Sequence, residues 1–458
     1  MDKYFPLEDQ IAMLGTLIRG RVIAPHHADY DAIRAVVPGN YDHRPAAIIR
    51  PANAADVAAI VNFAIATDLE VAVRSGGHSG HGTDSGLVID LRDLNTLDID
   101  TEARTAWAGT GLTAGDVTHA VEKRGLIVGF GDTASVGIGG LTSGGGIGYL
   151  VRKHGLTIDS VLAAEIVTAS GEIVIADATN HPDLFWAVRG GGGNFGIVTR
   201  WKYRLHALPH FVGGPLILPA TPEIVAGFVA AAEAAPEELS TIALVMPAPP
   251  LPFIPEAMHG KLIFMCNMAY AGNPEAASVA LAPFRALATP IADLVGPAPY
   301  SSMYMPEQPG PRPSFSVRGR FVDHIGLEEA RHIIDTIAAS DAPMRLGEIR
   351  VLGGAFARVP AGATAFAHRS ARVMTSFIAV FGDPAETQRH DAWAEAGNDA
   401  LLQGDDRVYV NFLTSDPAER IAAAYPPATW ERLRRIKRRY DPENLFRLNR
   451  NIPPAWAG

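Results

Sequence analysis

The sequence predicts an α+β protein of two domains, on three observations. Its 458 residues exceed what one hydrophobic core usually organises, because single cores stop growing at about 250–300 residues. Strand-like and helix-like segments alternate up to about Leu208, as in α/β subdomains. After Pro209 the pattern changes, since proline-rich spacers such as MPAPPLPFIP and MPEQPGPRPS interrupt apolar segments. We therefore predict domains over residues 1–208 and 209–404, followed by a closing segment over 405–458.

The first predicted unit is strand, helix, strand. It reads AAIIRP from Ala46, then PANAADVAAIVNFAIATDL, then EVAVRS. Asn53 can cap the helix, and Gly76 and Gly77 follow the second strand as a turn. The spacing of the apolar residues predicts an inward helical stripe, formed by Val57, Ile60, Val61, Ala64 and Ile65.

Further elements follow from the same periodicities. GLVIDL predicts a strand, TAGDVTHAVEKRG a helix, and VLAAEIVTASGEIVIA a hairpin turned at Ser170 and Gly171. In the second domain RLGEIRVLGGAF alternates polar and apolar residues, so Glu348 and Arg350 should project from one face of a strand. The segment RVYVNFLT, near the end of the chain, also predicts a strand.

Charge and composition exclude several classes of protein. A net charge of −10 repels nucleic acid. The one basic segment, WERLRRIKRRY, carries apolar residues at helical spacing, so we interpret it as an amphipathic helix with a solvated charged face. That face would carry Arg432, Arg434, Arg435, Lys437, Arg438 and Arg439. We expect no nucleic-acid partner, and the oligomeric state is not indicated.

The sequence also indicates the compartment in which we expect the protein. The start MDKYFPLEDQ carries acidic residues where a signal peptide needs a basic start and an apolar run, and no apolar run approaches about 18 residues. The single cysteine, Cys266, lies in an apolar segment and cannot form an intrachain disulfide. We therefore expect a cytoplasmic protein without a membrane partner.

Three glycine clusters occupy the first half: RSGGHSGHG, SVGIGGLTSGGGIG and RGGGGNFG. Gly191, Gly193 and Gly196 satisfy G-x-G-x-x-G, but a strand-like run follows instead of a helix, and no acidic residue occurs until Glu223. The P-loop pattern also fails, because no Gly-Lys-Ser/Thr follows any cluster. Glycine-rich backbone can still wrap a pyrophosphate with its N–H groups, so dinucleotide binding without a Rossmann turn remains open.

These motifs carry a specific resemblance. RSGGHS, SVGIGGLTSGGGIG, HGLTIDSVLAAEIVTASGEI, HPDLFWAVRGGGGNFGIVT and the terminal YDPENLFRLNRNIPP together resemble the berberine-bridge-enzyme-like flavin oxidases of the vanillyl-alcohol-oxidase/PCMH superfamily. The resemblance implies an FAD-binding domain of two α/β subdomains, to which residues 405–458 return. It also implies a substrate domain with an antiparallel sheet covered by helices, and the flavin ring between the two domains.

The resemblance also implies the cofactor site. In that family the histidine of RSGGHS bonds to the 8α-methyl group of FAD, which maps onto His78. The alternative is a turn histidine that only bonds nearby backbone, and His81 is a close neighbour. The other positions implied to line the cofactor are Arg74, Ser75, Gly76, Gly77, Ser79, Gly80, Val136, Gly139, Gly140, Ser143, Gly144, Gly145, Gly148, Ile197, Val198, Tyr409 and Asn411.

One departure from the family pattern is informative. Many relatives attach the flavin a second time through a cysteine in G-x-C-P-T-V-G-x-G-G, whereas this chain reads GDTASVGIGG with Thr133 at that place. A single covalent bond is therefore expected, as in the branch that includes 6-hydroxy-D-nicotine oxidase. Val136 falls where the family gates oxygen, and its small side chain favours an oxidase.

Candidates for the chemistry lie in two further segments. The family motif Y-x-N-Y reads YVNF here, so Tyr409 and Asn411 are kept and Phe412 replaces the second tyrosine. Tyr409 is a catalytic candidate or a core aromatic. Glu348 is a candidate base or amine-binding group, and Arg350 is a candidate substrate residue that would hold the charge of Glu348 or bind an anionic substrate. The alternative is that the two form a solvent-facing ion pair on an edge strand. His368 and Arg369 are similarly ambiguous.

The predicted function is an FAD-linked oxidase acting on a small organic amine or alcohol, with oxygen as the electron acceptor and no metal. Phe412 favours amines, because a neutral amine needs less help from a base than an alcohol does. The alternatives are an alcohol or sugar dehydrogenase with another acceptor, and a flavin-binding protein without catalysis. The substrate itself cannot be read from the second domain.

Overall fold

Three β-sheets and a short ribbon organise the chain in the computed structural model, which describes residues 6–304, 310–413 and 418–456. The helices of the first half are α1 Leu7–Leu17, α2 Tyr30–Arg34, α3 Ala54–Thr67, α4 Ala114–Glu122, α5 Ile138–Gly144, α6 Val151–His154 and α7 Pro182–Val188. Those of the second half are α8 Pro222–Ala234, α9 Pro274–Arg285, α10 Leu327–Ala339, α11 Ala355–Arg358, α12 Thr387–Asp399, α13 Ala418–Ala423 and α14 Pro427–Tyr440. Within these ranges no helix is both long and apolar enough to cross a bilayer.

The first sheet has four strands in the order β1-β2-β4-β3. They are β1 Arg21–Ile23, β2 Ala47–Arg50, β3 Val71–Arg74 and β4 Leu87–Asp90. Strand β4 is parallel to both β2 and β3 and lies between them, so the two strands of the predicted βαβ unit are not neighbours. Helix α3 begins where predicted, because the Asn53 side chain accepts a hydrogen bond from Asp56 N at 2.9 Å.

The second sheet is antiparallel, with the order β5-β6-β10-β8-β9. It comprises β5 Leu97–Asp100, β6 Thr105–Gly109, β8 Val161–Val167, β9 Ile173–Asp177 and β10 Ile197–Arg204, and the ribbon pairs β7 Leu126–Ile127 with β11 His206–Ala207. The predicted hairpin is confirmed as β8 and β9, and Gly171 in its turn has φ +77°. The predicted helix from Thr113 is also confirmed as α4, where Thr113 and Asp116 form a capping box.

The third sheet is the predicted antiparallel sheet, with helices α8, α10 and α12 packed against it. Its strands run β15-β12-β14-β13-β18-β19-β17, and β16 pairs with β12. Their bounds are β12 Val212–Pro219, β13 Leu239–Pro247, β14 Leu262–Tyr270, β15 Ala292–Asp293, β16 Gly296–Pro297, β17 Ser314–Val322, β18 Met344–Val351 and β19 Val373–Phe381. Cys266 is buried on β14, and burial raises the pKa of its thiol. The second proline-rich spacer falls partly outside the described residues.

Three predicted details are wrong. RVYVNFLT is not a strand over its described residues 407–413, and its last residue lies outside them: the backbone turns into a 3₁₀ helix at Val410–Phe412, where Phe412 N donates to Tyr409 O at 2.9 Å. Ile65 is 52% exposed and Phe63 is buried instead, because α3 is contacted both by α1 and by strands of two sheets. Strand β18 is not an edge strand, since it lies between β13 and β19.

The basic helix α14 also differs from the prediction. Its apolar residues pack inward as predicted, but Lys437 is completely buried and does not belong to a solvated face. The Lys437 ammonium lies 2.6 Å from the buried Asp441 carboxylate and donates to the carbonyls of Asn194 and Phe446 at 2.8 and 3.0 Å. Burial lowers the pKa of Lys437, and Asp441 acts in the opposite direction. The hydrogen bond from Lys437 to Asn194 O joins the closing segment to the first domain, and the pair with Asp441 neutralises the buried ammonium.

Replacing Lys437 with methionine should destabilise the protein, because it leaves the Asp441 carboxylate buried without a cation. Breaking a buried pair in this way costs about 3–5 kcal/mol. We expect the midpoint of thermal unfolding to fall by several degrees, measured by circular dichroism. The matched control is Arg438→Met at the exposed neighbouring position, which should leave the midpoint nearly unchanged. Equal midpoints for the two variants would contradict the role of the pair.

Candidate functional site

Two glycine clusters that are far apart in sequence touch backbone to backbone. A Cβ atom on Gly76 would lie 2.3 Å from Gly137 N, and one on Gly137 would lie 2.2 Å from Gly76 N. Only glycine permits this approach at either position. The Ser75 hydroxyl reinforces it, donating to Thr110 O at 2.6 Å and accepting from Gly139 N at 3.3 Å. Residues 75–80, the His78 loop, are thereby fixed against residues 131–137, the Asp132 loop.

The His78 loop offers a run of backbone donors. The amides of Gly76, Gly77, Ser79 and Gly80 donate to no acceptor within the described ranges, and Gly77 has φ +77°. Successive N–H groups in such a turn form an anion-binding nest. No atom lies within 4 Å of a Cβ built on the nearby Gly140. A dinucleotide pyrophosphate therefore fits this cradle, both by its charge and by the space beside the backbone.

The third glycine cluster adjoins the second. Gly190 N and Gly192 N both donate to Ser143 O, at 2.8 and 3.0 Å. Gly190 has φ +121°, and a Cβ there would lie 2.3 Å from Phe366 N, so its glycine is required by a close approach of the second domain. All three clusters thus meet in one region.

His78 itself contacts the Asp132 loop. Its ring atom Nε2 lies 3.1 Å from Ser135 Oγ, and the imidazole is half-buried. Val136, predicted to gate oxygen, is the next residue of that loop. The predicted tether residue is therefore held beside the nest.

A charged cluster joins the two domains on the other side of the Asp132 loop. Glu348 and Arg350 project from one face of β18 as predicted, and both are buried. Arg350 donates to the Glu348 carboxylate twice, each time at 2.8 Å. It also donates to the Asp132 carboxylate, and to Ile147 O at 2.9 Å. We call the place where these residues meet the domain junction.

The domain junction carries one more negative than positive charge among these groups, because Arg350 faces the carboxylates of both Asp132 and Glu348. Burial raises the pKa of Glu348, and Arg350 acts in the opposite direction. Burial by itself would lower the pKa of Arg350, but the two carboxylates raise it. The alternative of a solvent-facing ion pair is therefore wrong, since both side chains lie in the interior.

Tyr409 and Asn411 border the same junction. The Tyr409 hydroxyl oxygen accepts from Gly146 N at 2.8 Å and from Asn411 Nδ2 at 3.0 Å. Burial raises the pKa of Tyr409, and these two donors act in the opposite direction. The Phe412 ring stacks near the Arg350 guanidinium, 5.5 Å from its carbon to the ring centroid. Residue 412 therefore faces the charged cluster, and its side chain has no hydroxyl group.

Several other positions that the sequence predicts to line the cofactor make structural contacts. The Arg74 guanidinium is occupied by Asp90, at 2.7 Å, and by backbone carbonyls of residues 33–35. A Cβ on Gly148 would lie 1.8 Å from Phe130 O, so packing alone requires that glycine. Ile197 is a core residue at the start of β10, and Val198 is half-buried beside it.

The remaining glycines of the second cluster pack against the closing segment. Cβ atoms on Gly144 and Gly145 would approach the side chains of Asn411, at 2.1 Å, and Tyr409, at 3.2 Å. Gly145 also has φ +141°, which excludes other residues. The Ser143 hydroxyl donates to Gly140 O at 3.0 Å. This glycine cluster therefore packs directly against the side chains of Tyr409 and Asn411.

His368 and Arg369 both have structural roles. Arg369 forms a bidentate buried pair with Asp159, at 2.7 and 2.8 Å, which ties the second domain to the first. His368 is buried against Phe321 and Phe366, and burial lowers its pKa to about 4. Neither residue contacts the charged cluster within the described part of the chain, and both pack against Phe366, which lies beside Tyr409.

Three residues of the site were missed from the sequence. Asp132 and Ser135 lie in GDTASVGIGG, on either side of the position where relatives carry the second cysteine. Tyr149 lies near Asp132, Arg350 and Glu348, whose charges influence it, and burial raises its pKa. Its hydroxyl has no hydrogen-bond partner among the residues that the structure covers. The one sequence signal that points to these three residues is Asp132, an acidic residue beside a glycine-rich loop.

Comparisons with known proteins match this architecture. A family model described as FAD binding domain matches residues 45–177, and one described as berberine and berberine like matches residues 408–453. The (R)-6-hydroxynicotine oxidase of Paenarthrobacter nicotinovorans is 30% identical over 466 residues, covering 96% of this chain and 98% of the relative. An uncharacterised FAD-linked oxidoreductase of Bacillus subtilis, YvdP, is 29% identical over 97% of this chain and 100% of its own length.

Solved structures agree. The crystal structure of 6-hydroxy-D-nicotine oxidase from Arthrobacter nicotinovorans superposes with a TM-score of 0.85 at 28% identity, covering 96% of this chain and 98% of that one. The xylooligosaccharide oxidase of Myceliophthora thermophila gives the same TM-score at 23% identity, over 98% and 100% of the two chains, and shares the fold. The chain therefore belongs to the berberine-bridge-enzyme-like family of FAD-linked oxidoreductases.

Proposed function

We propose that this oxidoreductase binds FAD covalently through His78, oxidises a small organic amine and passes the electrons to oxygen, releasing hydrogen peroxide. One observation carries the proposal. The Asp132 loop contacts His78 through Ser135 and Arg350 through Asp132, so one short loop connects the tether residue to the charged cluster. The bound flavin supplies the hydride acceptor.

The chain's own residues would hold the cofactor in two places. The N–H groups of the His78 loop suit the pyrophosphate, as the nest geometry indicates. The His78 imidazole would anchor the ring system, because nitrogen nucleophiles can form covalent bonds to cofactors. With Thr133 at the place of the second cysteine, we propose a single covalent bond.

The excess negative charge of the domain junction supports an amine substrate. Two carboxylates share one guanidinium there, so a protonated amine would balance the cluster, whereas an anionic substrate would increase the imbalance. The resemblance to a relative named (R)-6-hydroxynicotine oxidase, at 30% identity, supports the same class. Phe412 offers no hydroxyl to deprotonate an alcohol.

Glu348 and Tyr409 are the proposed proton-handling groups. An ammonium must lose a proton before hydride can leave the adjacent carbon, and a carboxylate whose pKa is raised by burial accepts that proton more readily than an ordinary glutamate. The Tyr409 oxygen already accepts two N–H bonds, and we propose that its own hydrogen is donated to the bound substrate or cofactor. Arg350 would keep Glu348 ionised between turnovers.

Substrate class is tested by bleaching of the flavin. The purified protein is mixed anaerobically with a panel of small secondary amines, alcohols and sugars, and then opened to air. We expect amines to bleach the flavin absorbance, and air to restore it with stoichiometric peroxide. Bleaching by alcohols or sugars alone would overturn the amine assignment. Bleached flavin that air does not restore would indicate a dehydrogenase, and no bleaching by any compound would favour a protein without catalysis.

The covalent bond is tested by acid precipitation. Flavin absorbance should stay with the washed wild-type polypeptide and should be lost in His78→Ala, which can bind FAD only reversibly. His81→Gln is the matched control at the neighbouring histidine, and its flavin should remain attached. A colourless wild-type precipitate would exclude the tether, and loss of colour only in His81→Gln would move it to the other residue.

Removal of the proposed base should give a pH-dependent defect. We expect Glu348→Gln to lower kcat/KM for an amine by about 100-fold near neutral pH, the lower range for general-base catalysis. The defect should shrink as the pH rises past the pKa of the substrate, because the amine then arrives unprotonated. Glu443→Gln, at an exposed position, serves as the control. A loss that is equal at every pH would show that Glu348 does not accept the proton.

A further inference from the structure

The contact between His78 and Ser135 links two loops of the site, but the oxidation proposed above gives the Ser135 hydroxyl no chemical role. Ser135 Oγ lies 3.1 Å from the Nε2 atom of His78, and the two residues are 57 positions apart in the chain. The Ser135 hydroxyl has no other hydrogen bond within the described residues. A serine whose one polar contact is the ring of the tether residue suggests a role in the attachment itself.

The backbone fixes both partners of this contact. On either side of Ser135, the carbonyls of Ala134 and Val136 accept from Gly115 N at 2.8 Å and from Ala114 N at 2.9 Å. On the other loop, Gly77 O accepts from Val37 N at 2.8 Å. The close approach of Gly76 to Gly137 then joins the two loops. Because neither residue can drift, the hydroxyl sets the direction of the imidazole ring before any ligand arrives.

The chemistry of imidazole gives this contact a consequence. A neutral imidazole carries its proton on one nitrogen and a nucleophilic lone pair on the other. The tautomer is set by the hydrogen bond that one nitrogen makes. The Ser135 hydroxyl can donate to Nε2 or accept Nε2–H. Where it accepts Nε2–H, the proton stays on Nε2, the lone pair is left on Nδ1, and the N–H bond strengthens as positive charge develops on the ring during attack.

We propose that Ser135 is the positioning residue for covalent flavin attachment, holding the tautomer of His78 in which Nδ1 attacks the flavin. This inference rests on the proposed tether at His78. Ser135 acts through His78 and does not itself bond to the cofactor.

The attachment reaction balances with oxygen as the oxidant. A bond forms between Nδ1 and the 8α carbon, and a carbon–hydrogen bond of the 8α-methyl group breaks. One proton leaves the methyl group and one leaves Nε2, and both pass to water. The electron pair of the broken bond passes into the flavin ring system. Oxygen then takes up two electrons and two protons and becomes hydrogen peroxide, so the attached flavin returns to its oxidised form.

The test measures the covalent fraction of the bound flavin. Wild type, Ser135→Ala, Ser135→Thr and Thr133→Ala are purified and incubated with excess FAD in air. At each time, total flavin is read from native absorbance and covalent flavin from fluorescence of the polypeptide on a denaturing gel. Thr133→Ala removes a hydroxyl from an exposed position of the same loop, and Ser135→Thr keeps the hydroxyl. The ratio does not depend on how much protein folds.

We expect attachment in Ser135→Ala to slow by on the order of 10-fold, the lower range for loss of a ligand-orienting partner. Ser135→Thr should restore most of the rate, and Thr133→Ala should match the wild type. Attachment in Ser135→Ala at the wild-type rate would overturn the role of Ser135 and leave the tether intact. A wild type that never becomes covalent would overturn the tether itself, and with it this inference.

Discussion

The buried guanidinium of Arg350 is satisfied from both sides of the domain junction. Glu348, two residues away on β18, supplies one partner, whereas Asp132 and the carbonyl of Ile147 come from the first domain. A buried cation left without partners costs several kcal/mol, so the domains must dock with these groups in register. The fork of donors on arginine suits this arrangement. The position of the third sheet over the Asp132 loop, and therefore over His78, follows from this requirement.

The part of the site formed by the glycine-rich loops is held together by contacts between backbone segments. Gly76 meets Gly137, and the amides of Gly190 and Gly192 share the carbonyl of Ser143, so three loops converge where no side chain would fit between them. The closing segment completes this arrangement, because Lys437 donates to Asn194 O and the Asn194 side chain contacts Gly191 O at 2.9 Å. A cofactor cradle formed in this way is rigid before the ligand binds, which reduces the entropy cost of binding.

One part of the site attracts anions and another part attracts cations. The His78 loop presents N–H groups to an anion, and the domain junction presents surplus carboxylate to a cation. The cofactor phosphates and a protonated amine would therefore be drawn to different ends of one region. Phe412 packs beside the Arg350 guanidinium and offers it no hydroxyl group. The hydroxyls of Tyr409 and Tyr149 remain as the polar neighbours of the cluster.

The sequence by itself determined the elements with strong local signals: α3 with its Asn53 cap, the hairpin at Gly171, and the shared face of Glu348 and Arg350. Periodicity and capping act over a few residues, so one sequence suffices to see them. The tertiary structure alone decided the partners of those residues. Asp132 beside Arg350, Ser135 beside His78 and the burial of Lys437 join positions that are distant in the chain or hidden by packing. The same cause gives a 3₁₀ helix at Val410–Phe412, where the sequence predicts a strand, because long-range packing overrides local propensity.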